Sequence, residues 1–107
     1  MQDLAKCSNV FVKLGGLGMK RSGFAFHGKP QDAGSEAVAV AWRPWLETCI
    51  EEFGAARCMF ESNFPVDGAS CRYRVLWNAF KRVAGGASQS EKLALLHDTA
   101  RRFYGIA

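Results

Sequence analysis

Arg57-Cys58-Met59-Phe60-Glu61-Ser62-Asn63-Phe64-Pro65-Val66-Asp67 passes abruptly from a short apolar run into polar residues, an aromatic, a proline and an acid. The apolar part is too short for a helix, and Gly54 before it and Pro65 after it mark where neighbouring elements stop. It reads as a buried strand that delivers polar groups to a site. In α/β folds, reactive groups collect at the carboxyl ends of parallel strands. An ordinary buried strand closed by a proline turn would show the same spacing, so the stretch needs its surroundings to decide it.

Upstream, Trp42, Trp45, Leu46, Cys49, Ile50 and Phe53 recur at steps of three and four, one apolar face of a helix whose periodicity begins between Glu36 and Ala41. Pro44 suits its first turn and Gly54 the left-handed position after its last. Glu47, Glu51 and Glu52 lie off that stripe and read as solvated charges. Further upstream, Met1 to Cys7 looks like closing helical turns with Leu4 and Cys7 turned inward, and Val10 to Leu14 like a strand carrying Lys13 near its carboxyl end. Between Gly15 and Ala41 lies the longest irregular region, rich in glycine, and such loops are usually functional or disordered. Its Gly16-x-Gly18 is no phosphate cradle, because the spaced third glycine and a Gly-Lys-Ser/Thr are missing. Downstream, Ser70 to Ala84 predicts a helix burying Tyr73, Leu76, Trp77, Phe80 and Val83. Ser88-Gln89-Ser90-Glu91 then matches a capping box that opens a last helix with stripe Leu93, Leu96, Ala100, Phe103 and Tyr104, and a fresh N-cap at Asp98.

Half the 107 residues are hydrophobic (49%) and 22% are charged, which fits one core-forming domain over residues 1–107 and argues against disorder. The net charge of +4 comes from scattered basic residues beside acids, a solvated surface more than a nucleic-acid face. Cys7, Cys49, Cys58 and Cys71 show no Cys-x-x-Cys spacing, and His27 and His97 stand at no zinc-ligand spacing from them, so no zinc site is expected within this chain. Cys49 and Cys58 read as small buried hydrophobes. No apolar run approaches the roughly 20 residues a membrane helix needs, and no basic-then-apolar leader opens the chain, so a cytoplasmic location is expected.

Four stretches together carry a family likeness: Asn9 to Met19, Trp42-Arg43-Pro44-Trp45, Cys58 to Asp67, and His97 to Tyr104. In order and separation they resemble the C-terminal portion of the amidohydrolase-related proteins, the metal-dependent hydrolases of TIM-barrel fold that include lactonases and aromatic-acid decarboxylases, and within them the lactonase-like branch. The resemblance implies an α/β fold made of the last strand-helix units of a (β/α)8 barrel. A whole barrel takes roughly 250 residues, so this chain cannot close one. The family's metal-binding and catalytic histidines lie mostly on earlier strands, beginning with a His-x-His pair that does not occur here. The chain therefore reads as a C-terminal piece of such a barrel, or one shortened by its gene model, incomplete and inactive alone.

In relatives the last strand ends in a Ser-Asp-Phe/Trp-Pro-like sequence whose Asp binds a divalent metal or acts as general base. Here the matching position is Asn63, and an amide neither takes a proton at neutral pH nor supplies the charge that favours zinc. The candidates for a catalytic role are Asn63, then Glu61, placed on the same side as Asn63 by the period-two rule, then Asp67. Lys13, Met19, Phe24 and His27, with Phe26, are the candidates for contacting substrate, although Lys13 could equally reach solvent and His27 could be an exposed loop residue. The resemblance implies hydrolysis of a small carboxylated or lactone-like substrate by water attack on a carbonyl, with a divalent metal such as zinc in the complete protein and none bound by this chain alone. Expected partners are a small-molecule substrate, with a homo-oligomer left open, and neither nucleic acid nor membrane. Two alternatives stand: a non-catalytic α/β remnant acting only through association with another chain, and a decarboxylase of the same family.

Overall fold

A computed structural model of the chain describes residues 2–17, 34–64 and 71–106. Two strands form the centre. β1 (Val12–Leu14) and β2 (Cys58–Phe60) pair in parallel, with Val12 opposite Cys58, Lys13 opposite Met59 and Leu14 opposite Phe60. The Glu61 N–H donates to the Leu14 carbonyl at 3.2 Å, carrying the ladder one residue past β2. A parallel pair needs a crossover, and the 19-residue helix α2 (Ser35–Phe53) supplies it. The strand predicted over 10–14 is thus confined to its last three residues.

Alternation along the strands sorts the side chains. Leu14, Cys58 and Phe60 enter the same core as Val38, Trp42 and Leu46 of α2 and Leu76, Phe80 and Val83 of α3 (Tyr73–Val83). Phe60 stacks on Phe80 with ring centroids 4.5 Å apart, and Trp42 tilts against Phe80 at 6.1 Å. Lys13, one residue out of phase with Leu14, faces the opposite side, as a period of two requires. Burying such aromatic and aliphatic side chains contributes about 1.5–3 kcal/mol each.

Several expected positions shift. α2 begins at Ser35, so Pro44 lies inside the helix and not in its first turn. Proline has no N–H for the Val40 carbonyl, and the helix tolerates this because both residues lie on its exposed side, where water can serve. Trp45 is 63% exposed, not part of the buried stripe. Gly54 has the positive φ of 80° that favours glycine, but with ψ 152° it leaves the helix extended, not in the left-handed helical region. The four-residue helix α1 (Gln2–Ala5) buries none of its residues, and Leu4 and Cys7 are exposed where inward packing was expected. Tyr73 opens α3 and is exposed.

The last helical run is α4 (Gln89–Leu93), a π-helical turn (Ala94–Asp98) and α5 (Thr99–Tyr104). The capping box forms as expected: the Ser88 N–H donates to Glu91 Oε1 at 2.9 Å and the Glu91 N–H to Ser88 Oγ at 3.2 Å. The buried residues are Leu95 and Thr99, whereas Leu93 and Leu96 are exposed. The wider π turn rotates the face that a 3.6-residue period assigns. It also replaces the N-cap expected at Asp98, which keeps helical angles and holds His97 Nδ1 at 2.8 Å instead. Thr99 Oγ1 donates to the Ala55 carbonyl at 2.8 Å, pinning this run to the entry of β2.

Candidate functional site at the carboxyl ends of the strands

Parallel pairing puts the carboxyl ends of β1 and β2 side by side, so Lys13 and Gly15 at one meet Glu61 at the other, with Ser62 to Phe64 just beyond it. Lys13 Nζ lies 3.7 Å from Glu61 Oε2 and 5.5 Å from the centre of the Tyr104 ring. The Tyr104 side chain, accepting from the ammonium, is the first cause that raises the Lys13 pKa above its ordinary value, with the Glu61 carboxylate a smaller one. A lysine so held stays protonated at neutral pH; it can bind or orient an anion but not abstract a proton. Both side chains remain partly open to solvent, so the pair is a weak tether for stability. Its worth is in setting where the carboxylate sits.

Gly15 makes that placement feasible. A Cβ there would stand 2.2 Å from Glu61 Cγ and 2.7 Å from the Glu61 carbonyl oxygen, so only a residue without a side chain lets Glu61 fold across the end of β1. Past Glu61 the chain turns. The Phe64 N–H donates to Ser62 Oγ at 3.3 Å, and Asn63 takes a φ of 53°, a left-handed conformation that asparagine tolerates better than most residues. Phe64 then meets Tyr73 edge to face at 5.1 Å, fixing the turn to the start of α3. β2 has ended at Phe60 and Asn63 lies in a turn, so strand alternation does not place Glu61 and Asn63 on one side, as the period-two argument expected.

Of the predicted site residues, Lys13, Glu61 and Asn63 stand at this end of the strands; Asp67, Met19, Phe24, Phe26 and His27 lie outside the described residues. Gly15, Ser62, Phe64 and Tyr104 are contributors that the sequence reading missed. Gly15 had a signal, a glycine directly after a strand; Tyr104 had none, because it was assigned to a buried stripe. Cys58, wholly buried, has its thiol pKa pushed up to about 11 by burial and is inert at neutral pH.

Among the described residues no three His, Cys, Asp or Glu side chains converge where an ion could be held. With one carboxylate, itself beside an ammonium, and one amide, the described donors do not compose a zinc site. No helix among the described residues is long and apolar enough to cross a membrane.

A family model described as amidohydrolase matches residues 1–106. The chain belongs to the amidohydrolase family. It is similar, at 42% identity over 106 residues, to an uncharacterized protein, y4mH, of Sinorhizobium fredii (strain NBRC 101917 / NGR234), the match covering 99% of this chain and 31% of that protein. Two crystal structures of an amidohydrolase from Burkholderia multivorans, one with bound zinc and one with bound HEPES, superpose with TM-scores of 0.79 and 0.80 at 26% identity, over 99% of this chain and 35% of theirs. This amidohydrolase chain thus spans about a third of the length of the proteins it matches, and its α/β architecture agrees with theirs.

Proposed function

We propose that this amidohydrolase chain forms the last strand-helix units of a TIM-barrel, metal-dependent hydrolase of the lactonase-like branch. The parent barrel acts on a small carboxylated or lactone-like substrate by water attack on a carbonyl. What carries the reading is the parallel β1–β2 pair joined through α2, with Lys13, Glu61 and the Ser62–Phe64 turn gathered at its carboxyl end. That is the end at which such barrels assemble their sites. In this reading Glu61 takes a proton from, or orients, the attacking water. Lys13 keeps that carboxylate in place and draws a substrate carboxylate toward it, while Asn63 donates its amide N–H to a substrate oxygen. The described side chains do not make a metal site, so no step is routed through an ion here; the family's metal would be held by groups from the rest of the barrel.

The test is to mix this chain with the part of y4mH outside the matched stretch and follow acid release from a panel of γ- and δ-lactones. Turnover that appears only with both polypeptides supports the proposal. A folded complex that hydrolyses none of them overturns it.

A further inference from the structure

α3 is unusual in its charges. Between Tyr73 and Val83 it carries Arg74, Lys81 and Arg82 and no acid, with Arg72 just ahead of it. Arg82 is engaged, its Nε donating to Ser35 Oγ at 2.9 Å. Among the described residues Arg74 and Lys81 enter no ion pair, although Arg43 and Lys13 both do. These two cations flank a groove of about 520 Å³ floored by Tyr73, Trp77 and Leu96, with Asn78 between them. Two observations mark it as an unfinished contact. Tyr73 and Leu96 are large, apolar and exposed. The π-helical turn is what rotates Leu96 out of the core and into the groove wall.

We infer that this groove seats an acid-bearing amphipathic helix from the part of the full-length barrel that lies outside the matched stretch. The spacing of the cations decides the kind of occupant. Arg74 and Lys81 are seven residues apart, two turns along one side of α3 and about 10 Å. A small anion needs donors that converge on one point, whereas these are spread to meet two carboxylates two turns apart on a neighbouring helix. The aromatic floor between them takes that helix's apolar stripe, as packed helices require. The matched relatives extend to about three times this chain's length, so the material for such a helix exists in them. The inference rests on the barrel reading above and adds the seam and the chemistry by which the barrel is joined.

The experiment titrates this chain with the unmatched part of y4mH by calorimetry at low and high salt. The double variant Arg74→Glu/Lys81→Glu is compared with the charge-matched double control Lys92→Glu/Arg101→Glu on α4 and α5. The double variant is expected to weaken association at least tenfold and to remove most of its salt dependence, with the control unchanged. A double variant no weaker than the control overturns the inference. So does a homodimer of this chain, seen by sedimentation, that the double variant abolishes, since the groove then serves a second copy. If the separate polypeptides do not associate, the same variants are placed in a covalent chimera of the two parts. An unfolding temperature lowered no more by the double variant than by the control then overturns the inference. Lactone turnover with an insensitive groove sinks the seam alone; a sensitive groove without turnover sinks the functional reading alone.

Discussion

Arg57 joins distant parts of the chain through its guanidinium. Its Nη2 donates to the Ala5 carbonyl at 2.7 Å, its Nη1 to Cys7 at 2.8 Å and Val10 at 3.4 Å, and its Nε to Phe53 at 3.2 Å. One guanidinium thus satisfies carbonyls at the end of α1, ahead of β1 and at the end of α2, a fork that lysine cannot reproduce. Arg57→Lys should lower the unfolding free energy by about 2 kcal/mol in urea denaturation; an unchanged midpoint would show these bonds to be idle. Gly15→Ala should cost about 1–3 kcal/mol, because its Cβ meets backbone as well as side chain of Glu61 and the two strands must part to admit it. A variant as stable as the parent would remove the close approach from the account. Neither role was legible from local sequence. Arg57 reads as a strand residue, since its acceptors lie up to 52 positions away, and Gly15 reads as one of many loop glycines until Glu61 is placed beside it. That Lys13 and Glu61 stand at the ends of the strands was legible, because their position relative to apolar runs is a local property.

At the scale of elements, the signals that rest on short-range chemistry held. The box at Ser88 needs only four consecutive residues, and it forms. Ser88→Ala should destabilise the protein by about 1 kcal/mol. The Ser88 backbone N–H, bonding to the carboxylate, is the main reason the Glu91 pKa is lowered. A lowered carboxyl pKa means stability that is present above the ordinary value of 4.5 and lost as pH falls through the lower folded value. Glu91→Gln should therefore flatten the acid limb of the thermal unfolding midpoint below that pH; a limb identical to the parent's would contradict the box. Signals that rest on longer periodicity drifted. The stripe predicted through Leu93 and Leu96 gave way to Leu95 and Thr99, because a single π turn breaks the 3.6-residue count and leaves no mark in residue type. Trp45 failed differently. Its periodicity is correct for α2, but the side chain is exposed on the flank of the helix.

For the whole molecule, the parallel register of β1 and β2 is the feature on which everything functional depends. An antiparallel hairpin would have sent Lys13 and Glu61 to opposite ends; the crossover through α2 brings them within 3.7 Å. The fold class was legible because strand, helix, strand and helix follow one another with clear punctuation. The site was legible only in part, because Met19, Phe24, Phe26, His27 and Asp67 lie outside the described residues. The most direct measurement replaces the matched stretch of y4mH with residues 1–106 of this chain and determines kcat for lactone hydrolysis with Glu61→Gln and with Asn63→Ala. At least a tenfold loss in each, about 1.4 kcal/mol of transition-state stabilisation, is the predicted result. Undiminished turnover in both variants would contradict the claim that the reactive end of the barrel lies just past Phe60.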